Sequence, residues 1–173
     1  GKQVGERLIK PMTNFYKLSA IRRPEFMGWN EAPAQGANAL FTTENKVSNT
    51  DFSAEEFGNE LERYLNDYDS LSLSVLKLED VIPDNLKGSY FAMVEYPIMS
   101  STAMATKILQ AQEARLIGRV VSFHNDPDAL EPAVRSVLAY RKLKWLISVY
   151  NTINEQKWRG LMDMQPRNLP VFD

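Results

Sequence analysis

From Phe57 onward, apolar residues recur at Leu61, Tyr64, Tyr68, Leu71, Val75 and Leu78, in alternating steps of four and three. This is a heptad-type seam sustained over three repeats. It predicts a long helix whose stripe must be covered by partner helices. Ser53 followed by Glu56 has the pattern of a capping box, with a hydroxyl to accept from an orphan amide and a carboxylate to reach back. The helix is therefore expected to begin near residue 53 and to end before Pro83. Upstream, Val4, Leu8, Met12, Phe15 and Leu18 mark one face of a first helix over 4–20, which Pro11 should kink or restart.

Downstream, Asp84 can cap a third helix with Leu86, Tyr90 and Val94 on one face. Pro97 interrupts that pattern and predicts a kink or a new helix. The period resumes through Met104, Ile108 and Ala111 towards Ile117. The small residues Ser100, Ser101, Ala103 and Ala105 would admit a neighbouring helix closely. His124 to Pro127 is a break. A last long helix is expected over 128–156, with Leu130, Val134, Val137, Leu143, Ile147, Tyr150 and Ile153 inward and Trp145 and Leu146 widening the stripe. The rest is irregular. Residues 22–29 are aromatic without periodicity, 30–52 form a long polar loop, and 157–173 carry Pro166 and Pro170 and read as an extended tail. Loops of that length are unusual in a compact domain; such a loop is either mobile or lies on something outside the domain.

The fold class that follows is all-α: an antiparallel bundle of four to five helices, with a long loop near the N-terminus and an extended C-terminal tail. One domain over 1–173 is expected. Residues 1–29 supply its entry helix and the segment that leads in, 30–52 the loop, 53–156 the main bundle and 157–173 the tail. The 173 residues suffice for a real core.

Composition narrows the function classes. The net charge of −2, from 20 basic and 22 acidic residues, lacks the basic excess of a general nucleic-acid binder. No apolar run has the eighteen or so residues of a membrane span, and no signal peptide is visible. Gly1 in place of an initiating Met reads as the start of an excised piece. The absence of cysteine removes disulfides, thiolate metal sites and Cys nucleophiles together.

The search for chemistry yields few candidates. His124 is the sole histidine and sits in a turn beside Asn125 and Asp126 with no nucleophile elbow, so a surface role is expected. Asp126-Pro127-Asp128 starts a helix and is no calcium loop; no metal site is expected. No phosphate loop or dinucleotide fingerprint is present, and no cofactor is expected. Glycoside hydrolysis needs two carboxyl groups facing across a sugar, and the candidates are Glu25, Glu95 and Glu113. Glu95 lies among aromatics at a proline, where desolvation would raise its pKa; a structural tie to a neighbouring Arg or amide is the plainer reading. Tyr90, Phe91 and Tyr96 could form a sugar platform, but at helical spacing they are expected in the core. Arg22-Arg23 could clamp a carboxylate or hold the following loop, and the second is expected.

Four stretches resemble a known family. They are Phe15-Tyr16-Lys17-Leu18 with Arg22-Arg23-Pro24-Glu25-Phe26-Met27-Gly28-Trp29, Val94-Glu95-Tyr96-Pro97, Lys157-Trp158-Arg159-Gly160-Leu161-Met162, and Pro166-Arg167-Asn168-Leu169-Pro170-Val171-Phe172. In order and spacing they resemble glycoside hydrolase family 115, the xylan α-1,2-glucuronidases. The resemblance implies a multidomain secreted bacterial enzyme, periplasmic or extracellular, with an α/β domain, a (β/α)₈ catalytic barrel, a helical bundle and a C-terminal β-sandwich. It implies inverting removal of glucuronic acid or its 4-O-methyl ether from xylan, without a cofactor.

This chain looks similar to the helical bundle that follows the barrel. The family's catalytic residues lie chiefly on barrel loops, so no catalytic residue is carried over. A barrel alone needs about 250 residues. The implied partners are the barrel and β-sandwich of the same parent chain, a second copy of the parent, and glucuronoxylan for the parent, with no nucleic acid and no membrane. Two other readings stand beside it: a free-standing helical module that binds a protein or glycan, and a small autonomous hydrolase working through Glu95.

Overall fold

The computed structural model describes residues 2–23, 49–120 and 127–164. Among them there are helices and turns and no strand. Helix α1 spans Lys2–Ile21, α2 Glu60–Glu79, α3 Asp84–Tyr90, α4 Tyr96–Val120 and α5 Pro127–Thr152. A π-helical turn, Phe91–Glu95, joins α3 to α4.

The seam read in the sequence forms the core. Leu61, Tyr64, Tyr68, Leu71 and Val75 of α2 are buried, together with Ile98, Ala105, Ile108 and Leu109 of α4. Val4, Leu8, Met12 and Phe15 pack on that cluster from α1, and Leu18 lies within it. Side-chain bonds fix the directions. The Tyr64 hydroxyl donates to the Arg22 carbonyl at 2.9 Å, which brings the end of α1 to the start of α2. Ser72 and Thr102 share a buried hydroxyl bond of 2.7 Å, and Tyr90 donates to the Val75 carbonyl at 2.7 Å. Thus α2 and α4 run in opposite senses. Ser136 donates to the Lys107 carbonyl at 2.7 Å and Tyr96 meets Tyr150 at 4.6 Å, so α5 is antiparallel to α4. Of the small residues of α4, Ala103 and Ala105 are buried, while Ser100 and Ser101 are half-buried.

Several boundaries differ from expectation, each for a physical reason. Helix α2 begins at residue 60, not near 53. The Ser53 hydroxyl does accept from the amides of Glu55 and Glu56, but the carboxylate that reaches back to the Ser53 amide is that of Glu60, at 2.9 Å. Phe57, Gly58 and Asn59 all have positive φ, which stops a right-handed helix there. Asn59 then caps α2 by accepting from the Glu62 amide at 3.2 Å. Phe57 consequently leaves the seam and is 70% exposed. Asp84 is the first residue of α3 and caps nothing; Pro83 is the cap, and the Asp84 carboxylate pairs with Lys87 Nζ at 2.8 Å. Leu86 faces solvent. Pro11 does not restart α1, which is one helix around a buried proline.

Pro97 is absorbed by the π-turn. The Tyr96 amide bonds back to the Phe91 carbonyl, and this wider turn accommodates a ring that would otherwise press on the preceding carbonyl. After α5, residues 157–164 are not extended. They form turns folded back on the helix, held by Asn151, which accepts from the Gly160 and Met162 amides and donates to the Met162 carbonyl.

Helix α5 differs most. Leu143 and Tyr150 are buried as expected, but Leu130, Val134, Val137 and Trp145 are not. Leu146, expected to widen the stripe, is fully buried, and Pro132 and Ala139 take the place of the others. Ala139 and Leu138 are one position, about 100°, apart round the helix. This helix is apolar on two sides, and the packing uses the smaller one.

Candidate functional site

The sequence candidates are scattered. Glu25 and His124 lie outside the described residues, as do Phe26, Trp29 and the tail from 165 on. Glu95 sits in the π-turn and is 4% exposed. Its Oε1 meets no hydrogen-bond donor among the described residues. Burial, and then the Glu79 carboxylate, push its pKa up from 4.5 to about 7. The expected tie to an Arg or amide is thus missing at that oxygen. Glu113 lies on α4 and accepts from Gln110 Nε2 at 2.8 Å. Burial raises its pKa, which the Gln110 bond opposes. Along a continuous helical run, residues 95 and 113 are about 27 Å apart at about 1.5 Å per residue. A glycosidase pair stands within about 10 Å. The two carboxyls cannot flank one sugar, and Glu95 lies inside the protein where a sugar does not reach.

Of the aromatics near it, Tyr90 belongs to the core, whereas Phe91 and Tyr96 are half-buried. Tyr90 is buried, and desolvation raises its hydroxyl pKa steeply. Phe91 and Tyr96 meet at 6.2 Å, and Tyr96 turns on Tyr150. Burial and then Tyr150 push the Tyr96 hydroxyl up to about 12. Arg22 faces Asp51 at 4.0 Å, next to the returning segment 49–53.

That return is fastened by a residue the sequence reading passed over. Gln112 is 2% exposed. Its Oε1 accepts from the Thr50 amide at 2.6 Å and the Thr50 hydroxyl at 2.8 Å, and its Nε2 donates to the Phe52 carbonyl at 2.8 Å. Arg115 adds a 3.2 Å bond to Asn49 Oδ1. A buried Gln on a helix carries no sequence signal distinct from an exposed one.

Two hollows open on the described surface. A groove of about 590 Å³ runs between α1 and α2, with Lys10, Asn14, Lys17, Asp67, Ser70 and Ser74 along its rim and Pro11, Leu18, Ile21 and Leu71 among its lining. A smaller one of about 180 Å³ lies between α4, α5 and the 157–164 turns, lined by Tyr96, Met104, Leu143, Ile147, Met162 and Asp163 among others. Each holds one carboxylate, so neither supplies an acid and a base together. Among the described residues no three His, Asp or Glu side chains cluster to hold a metal, and no helix is long and apolar enough to cross a membrane. The most prominent surface feature is the outer face of α5. Leu130, Val134, Val137, Leu138 and Trp145 are 46–58% exposed on it.

The chain has been compared with known proteins. No protein-family model matches it, and no curated protein does. Among solved structures it is similar to a family GH115 4-O-methyl-alpha-glucuronidase described as specific for decorated arabinogalactans. Identity is 31%, the TM-score is 0.74, and the match covers 100% of this chain and 20% of that one. All-α bundle and sequence kinship agree, and the resemblance to glycoside hydrolase family 115 holds in three dimensions: the chain corresponds to a helical domain of a glucuronidase-like protein. It spans about a fifth of the length of the solved enzyme that it matches.

Proposed function

We propose that the chain is the supporting, interdomain helical domain of a secreted glycoside hydrolase that removes glucuronic acid or its 4-O-methyl ether from a polysaccharide. The observation that carries this reading is the extent of the match: all of this chain against a fifth of such an enzyme. On this reading the catalytic barrel belongs to the rest of the parent. Xylan is the substrate that the family resemblance implies. The solved relative's decorated arabinogalactans are the second polymer to try. On this reading the parent works in the periplasm or outside the cell, and the bundle keeps the barrel and the β-sandwich in register.

The apolar outer face of α5 supports an interdomain role, because isolated soluble surfaces seldom gather five large apolar side chains on one helix. Replacing Leu138 and Trp145 together by Ser tests it. The thermal midpoint of the chain alone should stay within a few degrees, while that of the longer enzyme should fall by more. Equal shifts in both would remove the interdomain role of this face.

A further inference from the structure

The π-turn does more than admit a proline. It places a carboxyl group inside the bundle with an oxygen that no donor meets. Such an arrangement is costly for an ionised carboxylate and much less so for the neutral acid. Among the described residues, no opposite charge that would compensate it acts on Glu95. The turn packs on α2, α3 and α4. From α2, the charge that bears on Glu95 is the Glu79 carboxylate, of the same sign. From α3 comes the Tyr90 hydroxyl, whose proton is committed to the Val75 carbonyl, while Lys87 is paired with Asp84. Along α4 the first charged residue is Lys107, about 18 Å further on at about 1.5 Å per residue. The joint is also where three segments meet: the end of α2, the short α3, and the turn at Asn154, whose side chain lies against Gly88 where a Cβ would stand.

We propose that this joint is a proton-sensitive latch: Glu95 is held in the folded chain as the neutral acid, and its ionisation loosens α3 and the π-turn from the end of α2. Burial and Glu79 set the window by raising the folded pKa from 4.5 to about 7. Between those values the folded chain keeps a proton that the unfolded chain has released. Stability due to the neutral acid is therefore complete below about pH 4.5, falls as pH rises through the window, and is lost above about 7. The latch is independent of the parent's enzymatic role.

Urea denaturation of the chain at pH 5, 6, 7 and 8, for wild type and Glu95→Gln, tests it. The wild-type folding equilibrium constant should drop on the order of a hundredfold more than that of the variant from pH 5 to 8. Amide exchange at 88–95, corrected for intrinsic rates, should accelerate in the wild type alone. Parallel pH profiles for the two proteins would overturn the proposal. Should Glu95→Gln fail to fold, the ¹³C carboxyl resonance of Glu95 in the wild type decides. A midpoint near neutrality supports the latch, and a midpoint at or below about 5 overturns it.

Discussion

The inner seam of α2 and α4 and the outer face of α5 are built from the same kinds of residue and end in opposite environments. Ile98, Ala105 and Leu109 on α4 are fully buried, whereas Leu130, Val137 and Trp145 on α5 are about half exposed. Both read as apolar stripes at helical spacing. Periodicity reports that a face is made to be covered; it does not report whether the cover belongs to the same 173 residues. The seam closes on α1, α2 and α5. The α5 face closes on nothing among the described residues; on the interdomain reading proposed above, its cover belongs to the rest of a longer enzyme.

The contrast can be broken by substitution. Leu109→Ala should have the largest effect, a loss of about 2–5 kcal/mol from lost burial and a cavity, read by urea denaturation; a loss below about 1 kcal/mol would mean that the seam is not the core. Gln112→Ala comes next. It strips the buried Thr50 amide of its acceptor and should cost about 1–3 kcal/mol, with faster amide exchange at 49–53. Thr102→Val keeps the volume but leaves Ser72 without its 2.7 Å partner, for about 1 kcal/mol. Trp145→Ser, on the outer face, should change the stability of the chain by no more than about 0.5 kcal/mol. A larger loss there would erase the distinction between the two regions.

The fold was legible where apolar spacing is regular and one-sided. The Leu61-to-Val75 seam and the Val4-to-Leu18 stripe both lie where their spacing puts them. The start of α2 was not, because two Ser/Asn-x-x-Glu patterns compete, at Ser53 and at Asn59. The left-handed Phe57–Asn59 turn that decides between them depends on backbone conformation. The inward face of α5 was legible only in part because this helix has two apolar sides: Leu143, Leu146 and Tyr150 are buried as their spacing suggests, but Ala139 is buried where Val137 is exposed. Glu95 was singled out for its aromatic, proline-bound setting, and its raised pKa follows from that burial. The missing partner could not be foreseen, since Glu95 lies within the π-turn, which α-helical spacing does not anticipate. Gln112 gave no signal, since only the returning segment 49–52 makes it a buried clasp.

The central claim is that this bundle supports catalysis carried out elsewhere in a longer chain. Its most direct test is release of glucuronic acid from 4-O-methylglucuronoxylan and from glucuronic-acid-decorated arabinogalactan, measured for the purified chain and for the longer enzyme proposed to contain it. Release by the longer enzyme on at least one polymer, and none by the chain, is the expected result. Release by the chain itself would contradict it and would show that these 173 residues hold a complete active site.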